Sequence, residues 1–147
     1  MADRRFAPIS THAGVALPQR KTARSAGYDL AAAADTVIEP GRVALIPTGL
    51  KAYMAPDEVL LLTIRSSLAV KRGLMLANGV GVIDADYADN PDNEGHIMVA
   101  MANLGQAAVT VGAGERIAQG IFVKYLITEA DAAGGERQGG FGSTGTQ

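Results

Sequence analysis

The sequence predicts an all-β domain, and three observations carry that expectation. Its apolar segments are short, none approaching the ~20 residues of a membrane span. They are separated by Gly, Pro, Asn and Asp, the residues of tight turns. Only one segment carries the signals of both helix ends. Many short strands at such spacing indicate a sandwich or barrel.

Taken in order, "TVIEPGRVALIP" (36–47) reads as strand, Pro40-Gly41 turn, strand. "AAAAD" (31–35) is too short to propagate as a helix. "EVLLLTI" (58–64) is a strand. "SSLAVKRG" (66–73) is the predicted helix: serines able to cap, Lys71 and Arg72 in the last turn, and Gly73 to stop it. "LMLANGVGVI" (74–83) holds Asn78-Gly79 between two apolar runs, a hairpin signal because both residues tolerate positive φ. "HIMVAMANL" (96–104), "AAVTVGAG" (107–114) and "ERIAQGIFVKYLI" (115–127) continue the strand series. Residues 128–147 are rich in Ala and Gly with little to bury, so a mobile C-terminal arm is expected after a domain spanning 1–127.

A chain of 147 residues is long enough for one domain with a real core. A net charge of −2 gives no general attraction to nucleic acid or to an anionic membrane. The absence of cysteine excludes disulfides and thiolate zinc sites and permits a reducing compartment. The start, "MADRRFAPIS", lacks the apolar stretch of a secretory signal. The expectation is a soluble cytoplasmic protein without nucleic-acid or membrane partners.

Candidate chemistry lies in a few stretches. Arg65 precedes two hydroxyls, Ser66 and Ser67, at a helix start, where unpaired N–H groups favour an anion; a plain cap beside a surface arginine is the competing reading. Asp84 follows a four-residue apolar run expected to be buried strand, so its carboxylate should emerge rigidly held, as a base requires. Asp86, Asp89, Asp92 and Glu94 suggest a metal loop. Counted from Asp84, however, the calcium-loop pattern lacks its glycine and its final glutamate, leaving a solvated acidic turn. Gln119 by itself reads as a strand residue facing solvent. The glycines at 140, 142 and 145 match a dinucleotide fingerprint in spacing. That motif opens a helix after a strand, and here only two residues follow it. His12 and His96 belong to no recognisable motif.

The order of five stretches is more telling than any one of them. "AGYDLAAA" (26–33), "RSSLAVKRGL" (65–74), "NGVGVIDADY" (78–87), "GERIAQGIF" (114–122) and "GGFGSTG" (139–145) resemble, in sequence and spacing, the five motifs of trimeric deoxyuridine triphosphate nucleotidohydrolases (dUTPases). The resemblance runs from about residue 20 to the C-terminus. It implies a distorted jelly-roll (β-clip) fold, a homotrimer with active sites shared between subunits, and magnesium-dependent hydrolysis of dUTP to dUMP and pyrophosphate. That reaction lowers dUTP and supplies dUMP for thymidylate synthesis.

By the same resemblance Asp84 activates the attacking water. Asn78 and the backbone at Val82 and Ile83 read uracil, with Met98 touching base or sugar. Tyr87 lies under the deoxyribose and leaves no room for a 2′-hydroxyl. Arg65, Ser66, Ser67 and Gln119 contact phosphates. Asp29 holds a water on Mg2+, which is bound mainly by substrate phosphates. The arm closes over the nucleotide, Phe141 stacking on uracil and Gly142, Ser143 and Thr144 contacting phosphates, with Arg137 a further phosphate contact. Three features depart from the family pattern. Ser67 stands where a glycine is common, Arg137 lies one residue nearer the Phe, and the turn after Tyr87 is longer by roughly half a dozen residues, as functional surface loops often are. Two other readings use the same scaffold: a dCTP deaminase-like enzyme and a non-catalytic nucleotide-binding module. The intact tail, Asn78 and Asp84 favour dUTPase.

Overall fold

The computed structural model describes residues 3–141. Among these, eleven strands and a single short α-helix bear out the all-β expectation. Four small sheets share one core. The largest sets β2 (Tyr28–Ala31), β11 (Arg116–Lys124), β6 (Glu58–Ile64) and β8 (Gly81–Asp84) side by side in that order. A second sheet has β9 (Met98–Asn103) between β4 (Val43–Pro47) and β7 (Leu74–Leu76). Two antiparallel pairs complete the fold: β1 (Arg5–Pro8) with β5 (Leu50–Tyr53), and β3 (Thr36–Ile38) with β10 (Val109–Val111). The core between them is aliphatic, with Leu30, Ile38, Ile46, Leu60, Ile97, Met101 and Ile117 fully buried.

Buried polar side chains tie the sheets together. Asn103 donates to the carbonyls of Ile38 (2.9 Å) and Ala107 (2.8 Å) and accepts from the Gly105 N–H. Thr48 donates to the Ile97 carbonyl at 2.6 Å. Among the described residues no buried side-chain N or O atom lacks a partner, as a well-formed interior requires.

The structure corrects three expectations. The Pro40-Gly41 and Asn78-Gly79 turns form, with Gly41 and Gly79 at positive φ, yet neither closes a hairpin. The arms of the first join different sheets, β3 pairing with β10 and β4 with β9. The arms of the second also part, β7 to β9 and β8 to β6. Local turn chemistry reverses the chain, but each strand takes the neighbour that buries its apolar face. Helix α1 (Ser66–Arg72) stops at a left-handed Gly73 as expected, but its N-cap is Arg65, and no side-chain cap bond forms; the serines occupy the first two helical positions. Finally, β8 is an edge strand and not a buried one. It pairs only with β6, and Val82 is 58% exposed.

Candidate active site

Two depressions hold the predicted residues, and no residue lines both. The first is walled by Leu62, Leu76, Gly81 and Val99, with Asn78, Val82, Ile83, Asp84, Tyr87 and Met98 around it and Arg137, Gly140 and Phe141 laid across. Its geometry follows from β8 being an edge. An edge strand leaves part of its backbone N–H and C=O groups unpaired, so the outer side of β8 keeps free main-chain donors and acceptors beside this pocket. Asn78 is exposed on the turn before them. Asp84 ends the strand with its side chain half exposed.

Tyr87 is the buried counterpart, 6% exposed. Its backbone N–H donates to the Asp84 carbonyl at 3.1 Å, fixing the turn that carries it. Its hydroxyl donates to the His96 carbonyl at 2.7 Å and accepts from the Asn93 amide at 2.9 Å. Burial pushes its ionisation above the ordinary tyrosine value, so the ring stays a neutral, apolar surface at physiological pH. The last described stretch packs here. Residues 128–141 form no helix or strand, Gly139 is buried, and the Arg137 guanidinium lies 6.0 Å from the centre of the Tyr87 ring. Arg137 also clamps two carboxylates, donating from Nη2 to Asp84 and from Nε to Asp86 at 2.7 Å. Phe141 is 66% exposed at the rim. Gly142, Ser143 and Thr144 lie outside the described residues.

The second depression is polar, formed by Lys21, Ser25, Gly27, Asp29, Arg65, Ser66 and Gln119. The sheet register builds it, since Gln119 on β11 stands between Asp29 on β2 and Thr63 on β6. Gln119 is half-buried against Gly27 and does not simply face solvent. Asp29 sits between two cations, 3.8 Å from Arg65 and 3.5 Å from Arg116. Arg65 adjoins the helix start, so cationic and N–H groups face the same space. Ser67 is exposed on the helix and outside this lining. Among the described residues no three His, Asp or Glu side chains gather into a metal cage. The lone carboxylate Asp29 therefore fits an indirect, water-mediated role toward a cation that brings its own phosphate ligands.

Sequence reasoning missed several residues. Lys21 and Ser25 join the polar depression from an irregular segment ahead of β2, which no periodicity marks. Arg116 reaches Asp29 only through the sheet register. The acidic stretch around Tyr87 is exposed at Asp86, Asp89 and Asp92, as a solvated turn is, but it is also tied to the body of the fold. Asp89 pairs with Lys51 (2.7 Å) and Tyr53 (2.6 Å), and Glu94 accepts from the Ser10 N–H (2.7 Å) and from Lys51 (3.3 Å). The bond from Lys51 holds the Asp89 carboxyl below its usual range, the contact with Ser10 does the same for Glu94, and Asp89 raises Lys51 in return.

The chain is similar to known proteins. The family model described as dUTPase matches residues 13–145. A deoxyuridine 5′-triphosphate nucleotidohydrolase from Lactococcus lactis is 51% identical over 136 residues, covering 91% of each chain. One from Pseudomonas fluorescens is 42% identical over 138 residues, covering 88% of this chain and 87% of its own. The crystal structure of dUTPase from Streptococcus mutans superposes with a TM-score of 0.82 at 47% identity, covering 86% of this chain and all of that one. The jelly-roll expectation holds on that superposition. By the extent of the family match and the identity to these relatives, the chain belongs to the dUTPase family.

Proposed function

We propose that the protein hydrolyses dUTP to dUMP and pyrophosphate with Asp84 as general base. The observation that carries this reading is the pairing, in one pocket, of an exposed edge strand with a half-exposed carboxylate and a buried aromatic ring. The edge backbone at Val82 and Ile83, with Asn78 and Met98, binds uracil. The Tyr87 ring closes the space below the sugar, where an extra hydroxyl would have to displace a packed side chain. Asp84 takes a proton from water as its oxygen attacks the α-phosphorus, and the bond to the β-phosphate breaks, releasing pyrophosphate. Phosphoryl transfer of this kind depends on positioning and charge neutralisation more than on covalent help.

Arg65, Ser66, Ser67 and Gln119 supply that neutralisation on the triphosphate. Mg2+, when bound through the phosphates with Asp29 holding one of its waters, adds to the charge neutralisation. Arg137 exchanges its carboxylate partners for phosphate, and residues 128–147 act as an arm. Phe141 covers the base, and Gly142, Ser143 and Thr144 line the phosphates.

A shared site is part of the reading. Asp84 pairs with Val59 near one end of β6, while Arg65 follows the other end. Six residues at strand rise put their backbones about 20 Å apart, longer than a triphosphate. That separation supports a homotrimer in which one subunit's pocket and base meet its neighbour's Arg65, Ser66 and Gln119. No helix among the described residues is long and apolar enough to cross a membrane, and the cytoplasm, where nucleotides are made, is the compartment proposed. The test is pyrophosphate release from dUTP, dCTP, dTTP and UTP in parallel. Release from dUTP alone is expected; ammonia from dCTP would point to a deaminase, and no turnover of any to a binding module.

A further inference from the structure

The loop after Tyr87 is a closed hydrogen-bonded cassette. The Asp89 N–H donates to the Glu94 carbonyl at 2.8 Å, and the Glu94 N–H returns to the Asn90 carbonyl at 3.0 Å. Asp89 and Glu94 take positive φ, as does Gly95. A side chain at Gly95 would meet the Ala88 Cα at 2.6 Å and the Tyr87 carbonyl at 2.7 Å, so only glycine lets the loop return this closely. The outer face is pinned to the body through Lys51, Tyr53 and Ser10, as described above.

The inner face is built around two asparagines. Asn90, 6% exposed, donates to the Tyr87 carbonyl and to the Asn93 side-chain oxygen, each at 2.7 Å. Its own oxygen accepts from the N–H groups of Asp92 (3.0 Å) and Asn93 (3.2 Å). Asn93 Oδ1 also accepts from the Gly95 N–H at 3.0 Å, which fixes the amide so that its Nδ2 faces Tyr87 Oη at 2.9 Å. With the His96 carbonyl accepting from the same hydroxyl, both hydrogen-bonding roles of Oη are filled by this loop and its exit.

From this network we propose that the loop is a specificity device, and that Asn93, aligned by Asn90, is a positioning residue that holds the Tyr87 ring in place through its hydroxyl. The inference rests on the reading of Tyr87 as the ring under the sugar. Rejecting one added hydroxyl requires a wall that does not recede, and a rotor or a sub-ångström shift would admit it. Burial restrains the faces of the ring. The Asn93–Oη–His96 chain restrains its far end, which no apolar contact can do directionally.

The test compares kcat/KM for dUTP and UTP across the full-length parent, Tyr87→Ala, Tyr87→Phe, Asn93→Ala and the Tyr87→Phe/Asn93→Ala double variant. Tyr87→Phe and Asn93→Ala are each expected to lower the dUTP-over-UTP preference about two- to tenfold, the range of one ordinary hydrogen bond. The double variant should lose no more than the larger single loss, because both changes remove the same contact. A parental ratio in Tyr87→Phe and Asn93→Ala, beside a relaxed ratio in Tyr87→Ala, overturns the proposal and leaves burial alone to hold the ring. Loss of preference in Asn93→Ala but not in Tyr87→Phe overturns it too, since the asparagine would then act on the backbone. Should Asn93→Ala fail to fold, Asn93→Asp takes its place, since it keeps the Oδ1 acceptor for Asn90 and Gly95 and removes only the amide donor to the hydroxyl; a parental ratio in that variant overturns the proposal. A parent that does not prefer dUTP, or an unchanged ratio in Tyr87→Ala, sinks the reading of Tyr87 and this inference with it. That outcome is distinguishable from the others by its controls.

Discussion

Asp84 and Arg137 form an ion pair with the carboxylate half exposed, so the charge on Asp84 is solvated as well as paired, and its removal leaves no buried orphan. Asp84→Asn is therefore expected to fold and bind nucleotide almost as the parent does. The lost base should lower kcat by about 10²–10⁴-fold. Single-turnover hydrolysis, alongside the Kd for a non-hydrolysable dUTP analogue, separates the two effects; turnover near the parental rate removes Asp84 from the mechanism. A second prediction concerns His96. Its Nε2 accepts from the Gly49 N–H at 2.9 Å, and its ring lies 5.5 Å from that of His12. Burial, with His12 nearby, holds its pKa below the ordinary 6.5. A group lowered in the folded state contributes stability fully above its unfolded value and loses it as pH falls through the folded one. Thermal midpoints should thus decline as pH drops below about 6.5, and His96→Gln should flatten that decline. Glu58, Asp89 and Glu94, held low by Arg4, Lys51 and Ser10, add a later loss below the ordinary carboxylate range near pH 4. An identical pH profile in parent and His96→Gln would assign the first decline elsewhere.

At the scale of elements, the edge strand and the C-terminal stretch differ in how the fold holds them. β8 is held by β6 alone, yet its register places Ile83 opposite Leu60, a fully buried core position of β6, so the strand is tied to the core. The arm is different, because residues 128–136 are exposed and outside any sheet. Deleting residues 137–147 is expected to leave the thermal midpoint within about 2–4 °C of the parent, since the one large apolar side chain among its described residues, Phe141, is mostly exposed and such a stretch contributes on the order of 1 kcal/mol. Hydrolysis should fall far more, because closure excludes water and aligns the phosphates. Phe141→Ala should reproduce part of that loss, stacking on a base being worth ~1–3 kcal/mol. Calorimetry and steady-state kinetics on the truncated chain test both halves. A truncated chain that cleaves dUTP as fast as the parent would reduce the arm to a loose end.

The whole molecule raises the question of assembly. Val37, Val43 and Leu45 are about half exposed and Leu126 almost wholly so, apolar surface that a subunit contact would cover. Asp84 and Arg65 stand near opposite ends of β6, a separation that a site shared between subunits would bridge. Sedimentation is expected to give three chains per particle at micromolar concentration, with specific activity falling on dilution as subunits separate. A second check mixes Asp84→Asn and Arg65→Ala chains. If sites are shared between neighbours, the mixture regains activity that neither variant shows alone. A fully active monomer would contradict the shared site.

The sequence alone determined the strand series, the helix stop at Gly73, the turns at Pro40-Gly41 and Asn78-Gly79, and, through five ordered motifs, the family. These features are local or linear. Turn chemistry depends on which residues tolerate positive φ, and motif order survives in one dimension. The tertiary structure alone decided the partners. The arms of both turns were drawn to other sheets because burial, and not the turn, selects a strand's neighbour. β8 became an edge for the same reason, which leaves part of its backbone unpaired. Ser66 and Ser67 yielded the cap position to Arg65, whose extended backbone continues β6 into the helix. The pairing of the exposed acidic loop after Tyr87 was not legible because its partners Lys51, Tyr53 and Ser10 are distant in sequence. Carboxylates paired across that separation carry no periodic signal, and neither does an amide directed at a tyrosine hydroxyl.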